Sequence, residues 1–570
     1  MKKITLLIMT ICLCVSMSAF ATDGTWNNSA GGDWEIATNW VGDTIADGAG
    51  ATATFSIDTG AVSVDASRTV GVFNASAPAG FWVTDGPLVL DGGTPAIDVS
   101  GGAIYMNCAL AGSSGFNKTS AGWLLLYNTT ISGDINVNAG VLGLMWADSI
   151  MNADVKVNSG GTLLINNGVS ANGKSVTVNS GGELRPYAGT ASLNAPLTCN
   201  YADAGNTFSV RAEAANDTIN LNSNITMTAN TVMAVDANGS TININAPVSG
   251  AYQLRLLGRS VTASIGVYNI NAACTYTGNT ILESWGANPR FEMGVNNALP
   301  CNGDSAEVKL QVDNSSADTS VTLDLNGTTQ KVAKLTFSID GSQSGHEAII
   351  TGSDAGVIEV TNTLWSTAVA GTQIKLTGGK LINNAPGYSI CVPMIITNAT
   401  LIQNGDWWGG AGANFVLQNG AKVGGTGFLA WTGGASTDLV ITAGATITPG
   451  NSIGTVGCWN LEMQDGSEYD WEVGTAAADM IDVRGDLDIS DGGITVNVID
   501  AGSPNGTYTL FAVTGSIVGD PTTDITMNYT GGLTGSGAYR SGNNIVADVV
   551  PEPATLGLLA LLGLAILRRK

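Results

Sequence analysis

The chain has 570 residues, of which 75 are glycine and only 12% are charged, against about 25% in an average globular protein. This composition, with 44% hydrophobic and 6% aromatic residues, excludes a disordered chain, disfavours a helical or α/β enzyme and favours a turn-rich all-β fold. The formal net charge of −24 opposes binding to nucleic acid, because an acidic surface repels phosphates.

The first 21 residues have the form of a secretory signal peptide. Lys2 and Lys3 precede a short apolar run, and Ala19 and Ala21 supply the small side chains that a signal peptidase requires at its cleavage position. The alternative, a first transmembrane helix, is disfavoured because the apolar run is short. We therefore predict that residues 1–21 are removed during export through the secretion translocon.

Residues 22–105 begin with three tryptophans, Trp26, Trp34 and Trp40, a spacing that resembles the tryptophan-rich start of exported β-rich proteins. Two interpretations are open. The indoles cover the end of the first rung and hide a strand edge that would otherwise pair with another chain, or they stack on sugar rings. We favour the first interpretation and predict a Trp-rich N-terminal β cap together with the first rungs.

Residues 106–435 alternate aliphatic and polar side chains with a period of two, as strands with one buried face do. A Val-Asn-x-Gly motif recurs in steps of 20 and 21 residues, with its asparagines at Asn138, Asn158 and Asn179. This spacing predicts stacked coils of a parallel β-helix. The three asparagines either form a ladder of side-chain amides or simply mark turns.

The same region carries motifs of a known repeat family. Asn117–Leu126 has the Lys-Thr and glycine-leucine pattern that opens the repeat, Asn138–Leu142 has its closing pattern, and Leu323–Leu335 matches a later rung. These stretches resemble the autotransporter-associated β-strand repeat. The resemblance implies a right-handed parallel β-helix, that is, a pectin-lyase-like solenoid.

Residues 436–549 contain three further strings in a fixed order: Thr448–Thr455, Tyr469–Val473 and Ala478–Val483. These strings are similar to the end of autotransporter passenger domains, so we predict a passenger-like β module here. The amphipathic strands of a membrane barrel do not follow them. We therefore expect that the chain does not translocate itself.

Residues 550–570 combine three parts in order: Pro551-Glu552-Pro553, the apolar run Ala554–Leu567, and the basic cluster Arg568-Arg569-Lys570. This order closely resembles the PEP-CTERM sorting signal, with a plain C-terminal anchor as the alternative. The resemblance implies a C-terminal transmembrane sorting helix that holds the chain transiently in the inner membrane until an exosortase removes it. The mature protein would then lie at the cell surface or in the extracellular matrix of a Gram-negative-type bacterium.

Residues that could carry catalysis are sparse. A glycosidase needs two carboxylates at a fixed separation, and Asp479 and Asp482, although close, fall on the strand pattern. We expect the single histidine, His346, in a surface loop, and the adhesion tripeptide Arg484-Gly485-Asp486 inside a strand. The six cysteines of the exported body lack zinc spacing and are interpreted as small buried residues. Export permits disulfides as the alternative, and only Cys274 and Cys301 are close enough in sequence to suggest a local loop closure. We predict no catalytic residue, metal site or cofactor.

The sequence therefore predicts a non-enzymatic, exported protein that is a structural or adhesive component of the cell surface or of the extracellular polysaccharide matrix. The exosortase and the translocon would be partners during export, polysaccharide is a candidate partner afterwards, and the membrane is contacted only through the tail. Two alternatives remain. A groove of acidic residues would favour a polysaccharide lyase or glycosidase, and an exposed row of tryptophans would favour a carbohydrate-binding surface protein.

Overall fold

The structure is a computed structural model. It describes residues 21–146, 152–200, 208–259, 265–300, 306–313, 318–339, 345–368, 371–386, 388–390, 394–409, 414–429 and 438–552. Of these residues, 55% lie in strands and 2% in helices, so the predicted all-β class is confirmed. The strands form a parallel β-solenoid, in which each coil adds one parallel strand to each of its sheets. The chain divides into two compact units, one within residues 1–234 and 240–252 and the other within 235–239 and 253–570.

The first unit contains three parallel sheets. The first sheet is formed by Gly24–Thr25, Thr52–Phe55, Val72–Ala75, Ala96–Val99, Phe116–Thr119, Ile135–Val137, Asp154–Val157, Ser175–Asn179, Leu197–Asn200, Ile225–Met227 and Val248–Gly250. The second sheet contains Gly32–Asp33, Val62–Val64, Arg68–Val70, Phe81–Leu90, Ala103–Ala111, Trp123–Leu126, Gly140–Leu144, Gly161–Asn166, Glu183–Tyr187, Val210–Ala212 and Thr231–Val235. The third contains Ser170–Ala171, Thr190–Leu193, Thr218–Leu221 and Thr241–Ile244. Two short 3₁₀ helices, Ala37–Asn39 and Val41–Asp43, precede the second strand of the first sheet.

The second unit repeats this arrangement. One set of parallel strands is Leu254–Arg259, Thr280–Trp285, Glu307–Val312, Thr329–Ile339, Val357–Ala368, Lys380–Asn383, Thr400–Gln403, Lys422–Gly425, Thr446–Pro449, Glu468–Val473, Ile494–Asp500 and Ile525–Tyr529. Another is Val267–Ile270, Arg290–Met293, Ser320–Asp324, Glu347–Thr351, Gln373–Leu376, Met394–Ile396, Phe415–Leu417, Asp438–Ile441, Asn460–Met463, Leu487–Asp488 and Ile517–Val518. Tyr388–Ile390 pairs with Trp407–Gly409, and one short α-helix spans Pro521–Asp524.

Aliphatic side chains stack in register through the core of the first unit. Ile135 pairs with Val155, Val155 with Val176, and Val176 with Leu197, each one coil further along the chain. All four side chains are buried, whereas their neighbours in sequence point outward. The predicted period of two is therefore confirmed, because the pleat of a strand places alternate side chains on opposite faces.

The turns between coils depend on glycine at one position of the repeat. Gly140, Gly160 and Gly181 have φ angles of 67°, 81° and 78°. Side chains with a Cβ atom rarely adopt this left-handed region, which explains why the Val-Asn-x-Gly motif ends on glycine. The Gly140 N–H donates to the Gly160 carbonyl, and the Gly160 N–H donates to the Gly181 carbonyl, each at 2.9 Å. The turns therefore stack on one another as the strands do.

The asparagines of the motif form the ladder that the spacing suggested. The Asn158 side-chain amide donates to Asn138 Oδ1 at 2.7 Å, Asn179 donates to Asn158 at 2.7 Å, and Asn200 extends the ladder at 3.0 Å. A second ladder connects Asn172, Asn194, Asn222 and Asn245 at 2.8–2.9 Å. Side-chain amides suit such ladders because the NH₂ group of each amide donates to the amide on the preceding coil, while its oxygen accepts from the amide on the following coil.

We expect Asn158→Ala to lower the free energy of unfolding by about 1–2 kcal/mol, because it removes one hydrogen bond donated and one accepted at the centre of the ladder. Urea unfolding would measure this loss. Asn505→Ala is a suitable control, since Asn505 is exposed and lies outside both ladders. An equal loss in the two variants would contradict a stabilising role for the ladder.

An antiparallel sheet closes the second unit. Three parallel strands, Phe428–Leu429, Thr455–Cys458 and Met480–Val483, lead to Gly506–Val513. The strand Asn544–Pro551 then pairs antiparallel with Gly506–Val513 on one side and with Leu533–Gly535 and Tyr539–Ser541 on the other. The antiparallel strand covers the edge of Gly506–Val513 to which a further parallel strand would add, so the parallel stacking of this sheet ends there.

No helix among the described residues is long and apolar enough to cross a membrane. The predicted sorting helix, Ala554–Leu567, lies outside the residues that the structure describes, as do residues 1–20 of the predicted signal peptide. Both therefore stay predictions.

Candidate functional site

Six aromatic side chains of the first unit lie on the outer surface of its second sheet or directly beyond the ends of its strands, and we call this surface the aromatic face. They are Trp82, Tyr105, Trp123, Tyr127, Trp146 and Tyr187. Four of them are strongly exposed: Trp123 at 39% of its surface, Trp82 at 40%, Tyr187 at 43% and Trp146 at 54%. Exposed aromatic surface of this extent is unusual on a soluble protein and marks a candidate binding site.

The strand period explains why the rings on strands, such as those of Trp82 and Trp123, point outward. Trp82 lies between the buried residues Phe81 and Val83, and Trp123 precedes the buried Leu124. Since alternate side chains of a strand point to opposite faces, a residue between two core residues must face solvent. Stacking of coils then brings outward residues of neighbouring strands together.

One part of the aromatic face is a cluster of four rings. Trp82 is the register partner of Tyr105 on the next coil, and the two rings stack with centroids 4.6 Å apart and planes at 18°. Tyr127 lies 5.3 Å from Trp82, and Trp146 lies 5.3 Å from Tyr127 in an edge-to-face arrangement at 88°. Such contacts hold the rings in fixed positions and lower the entropy that a ligand would otherwise have to remove.

The other part of the aromatic face is the pair Trp123 and Tyr187, whose ring centroids are 6.3 Å apart. Trp123 begins the strand Trp123–Leu126, and Tyr187 ends the strand Glu183–Tyr187. The strands Gly140–Leu144 and Gly161–Asn166 lie between them, so the two residues come from strands three coils apart. In register, Trp123 is in line with Glu183, and Tyr187 lies four residues further along that strand. The two side chains therefore extend toward each other both along the stack and along the strand direction. Leu125 and Leu164 occupy outward positions on these coils but are only 5% exposed, which shows that neighbouring side chains cover them.

Four charged side chains lie next to Tyr187 and neutralise one another. Arg185 forms ion pairs with Glu183 and Glu213, and Arg211 Nη2 lies 3.0 Å from Glu213 Oε1. Burial raises the pKa of Glu183 above its ordinary value, and hydrogen bonding and ion pairing with Arg185 oppose this effect. Two cations and two anions leave this end of the aromatic face without a net charge.

The three N-terminal tryptophans do not belong to this exposed surface. Trp26, Trp34 and Trp40 are at most 2% exposed, and their rings pack around Phe55. The Trp34 indole N–H donates to the Ala46 carbonyl at 3.0 Å, and the Trp40 indole N–H donates to the Trp34 carbonyl at 2.8 Å. The interpretation that these indoles stack on sugars is therefore wrong, because their faces are not accessible.

The two carboxylates considered for catalysis have separate structural roles. Asp479 is buried, and its carboxylate accepts hydrogen bonds from the Gly454 N–H at 2.7 Å and the Glu472 N–H at 3.0 Å. Burial raises the pKa of Asp479 to about 7. Asp482 points outward, where Arg484 Nε lies 3.3 Å from its carboxylate. The strand period places the two groups on different sides of the sheet, so they do not form a pair.

Two expectations about local structure were wrong. His346 is fully buried rather than in a surface loop, because it continues the inward positions Ala348 and Ile350 by one step before their strand. Its Nδ1 lies 3.3 Å from both the backbone nitrogen and the hydroxyl of Thr319 on the preceding coil. The tripeptide Arg484-Gly485-Asp486 lies between two strands instead of inside one.

The predicted sorting and cleavage residues are described only in part. Pro551 ends the closing strand opposite Leu533, and the Glu552 N–H donates to the Gly532 carbonyl at 2.7 Å. Ala21 is exposed. The remaining residues of both predicted sites, which are Ala19, Pro553, Arg568, Arg569 and Lys570, lie outside the described part of the chain.

Within the described ranges, no three His, Cys, Asp or Glu side chains come together as a metal site would require. Comparison with protein-family models and with curated proteins finds no match to the chain.

Proposed function

We propose that the protein is an exported structural or adhesive component of the cell surface or of the extracellular polysaccharide matrix. The observation that carries this proposal is the stacked-coil architecture, with a continuous aliphatic core inside and polar amide ladders outside. A stack of this kind can be long without a large globular core, since each coil needs only its neighbours. Such a scaffold suits a spacer that presents its outer faces to a matrix.

The finer features of the fold belong to the same proposal. We infer a right-handed, pectin-lyase-like β-helix with autotransporter-associated repeats, but without the membrane barrel. The packing of Trp26, Trp34 and Trp40 around Phe55 supports a Trp-rich cap over the first coils. The tail from Pro551 onward would be a PEP-CTERM sorting signal with its transmembrane helix, recognised by an exosortase after passage through the secretion translocon.

The proposal makes a direct prediction about the mature ends of the protein. Mass spectrometry of the extracellular protein should find an N-terminus at Thr22 and no peptide beyond about Pro553, because both ends would be removed during export. Replacing Arg568, Arg569 and Lys570 with glutamine should leave the protein unprocessed and associated with cells.

A matched control removes three positive charges from the body instead, at Lys331, Lys334 and Lys422. This variant should be processed as the natural chain is. Intact tails on the released natural protein would contradict the sorting proposal and support a plain anchor, and protein that remains in the cytoplasm would contradict export.

Carbohydrate binding is the second candidate function, and the aromatic face is the observation that favours it. The enzyme alternative, a polysaccharide lyase or glycosidase, has less support. It would need carboxylates that face one open groove, and the structure places Asp479 in the interior and Asp482 on the outside. We propose no enzymatic activity and no cofactor.

A further inference from the structure

We propose that the aromatic face binds an uncharged polysaccharide, whose chain lies along the direction in which the coils stack. This inference rests on the proposed function, because it names the matrix component that the protein would contact. It is carried by the positions of Trp82, Tyr105, Trp123 and Tyr187 and by the charges beside them.

The chemistry of the surface fits the face of a sugar ring. A pyranose presents C–H groups on its faces and hydroxyl groups around its edge, so an apolar aromatic ring covers the face while polar neighbours contact the edge. The face offers the indoles of Trp82 and Trp123 for the first kind of contact. Around them, outward polar residues such as Thr162 and Asn166 are partly exposed and can contact hydroxyl groups.

The spacing of the rings favours a polymer over a single sugar. Adjacent strands of a sheet lie about 4.8 Å apart, and the aromatic residues extend from Trp82 to Tyr187 across several successive coils. A short sugar would contact only one part of this surface. A linear chain that follows the stack would pass rings on the coils of Trp82, Tyr105, Trp123 and Tyr187.

The charges favour an uncharged polymer. The chain carries a formal net charge of −24, which repels acidic polysaccharides at long range. The two arginines at the end of the aromatic face, Arg185 and Arg211, already form ion pairs with Glu183 and Glu213. A uronic acid would have to displace one of these glutamates, whereas a neutral sugar would not.

A second copy of the chain fits this surface less well. Two copies with a charge of −24 each repel one another. A stable interface also needs about 800 Å² from each partner. An aromatic side chain buries roughly 150–250 Å² when it is fully covered. The six aromatic side chains are about half exposed or less, so together they would supply well below the area that a stable interface needs.

Affinity electrophoresis of the full chain tests the proposal. The native gels would contain one of three neutral polymers, hydroxyethylcellulose, galactomannan or dextran, or the acidic polymer polygalacturonate. We expect retardation by at least one neutral polymer and none by polygalacturonate. Trp123→Ala and Tyr187→Ala should each weaken the apparent affinity by about tenfold, which is the effect of losing one ring contact.

Trp365→Ala is the matched control, because Trp365 is 46% exposed on the strand Val357–Ala368 of the second unit and is not one of the six aromatic side chains of the aromatic face. This variant should keep the natural affinity. Trp123→Phe, which retains a ring, should recover most of the loss in Trp123→Ala and would show that misfolding is not its cause. Circular dichroism would confirm that each variant retains its strands.

Three results would overturn the proposal: no retardation by any of the neutral polymers, equal losses in Trp365→Ala and Trp123→Ala, or retardation only by polygalacturonate. Sedimentation velocity adds a fourth, a dimer that Trp123→Ala dissociates, which would make the aromatic face an interface between copies. These measurements use purified protein, so their failure is distinct from a failure of export or processing in the cell.

Discussion

Replacing Phe55 with alanine should lower the free energy of unfolding by about 3–5 kcal/mol, as large-to-small changes of buried aromatic residues do. Phe55 is fully buried. Its ring lies 5.0–5.9 Å from five other aromatic rings, those of Trp26, Trp34, Trp40, Phe73 and Phe81. Alanine would leave a cavity between the N-terminal tryptophans and the first coils, and these large rings can collapse into it only partly.

Urea unfolding followed by tryptophan fluorescence would measure this effect. Acrylamide quenching under native conditions would add a local measurement, because loosening of the N-terminal region should expose Trp26, Trp34 and Trp40. Trp365→Ala is a control for loss of an aromatic side chain at the surface, and should cost less than about 1 kcal/mol. If Phe55→Ala were as stable as this control, the packing of the three indoles against the first coils would not contribute to the stability of the protein.

The second large effect concerns pH and Asp479. Burial raises the pKa of this carboxyl from 3.8 to about 7 in the folded protein. At pH values between these two pKa values, the Asp479 carboxyl is therefore mostly protonated in the folded protein and mostly ionised in the unfolded chain. The stabilisation is fully present below pH ~4 and is lost as the pH rises through ~7, by at most about 4 kcal/mol.

This dependence can be isolated by comparison with Asp479→Asn, which cannot ionise. The free energy of unfolding of the natural protein, relative to this variant, should fall between pH 5 and pH 8. Trp471 is a convenient fluorescent reporter, since its indole N–H donates to the Asp479 carbonyl at 2.7 Å. Asp482→Asn is the control, because Asp482 is partly exposed, and its difference from the natural protein should not change in this way. A pH-independent difference for Asp479→Asn would refute the assignment.

Features that repeat at the length of one coil could be predicted from the sequence. The Asn138, Asn158 and Asn179 ladder follows from steps of 20 and 21 residues, because residues one coil apart become neighbours in register. The all-β class and the inward aliphatic positions follow in the same way from the period of two. In these cases the period of the sequence pattern equals the sequence separation between the residues that lie side by side or on the same face in the structure.

Features that depend on the boundary of a strand or on several coils were not predictable in this way. His346 faces inward because the alternation begins one residue before the strand Glu347–Thr351, although its polar neighbours in sequence suggest a loop. Trp123 and Tyr187 meet only because their side chains extend across two intervening strands and along the strand direction, and a repeat of one coil does not predict such a contact. For the N-terminal tryptophans, the spacing left both interpretations open, since exposure depends on how Phe55 and the first coils pack beneath them.

Four cysteines among the described residues are buried, and three of them, Cys108, Cys199 and Cys458, lie far apart in the sequence. Burial raises the pKa of Cys108 and of Cys199 to about 12, and raises that of Cys458 further still. Only the thiolate reacts readily with alkylating reagents, so the folded protein should resist labelling at all three. In graded denaturant, the order in which these thiols become labelled would report which coils open first and whether unfolding proceeds from an end or all at once.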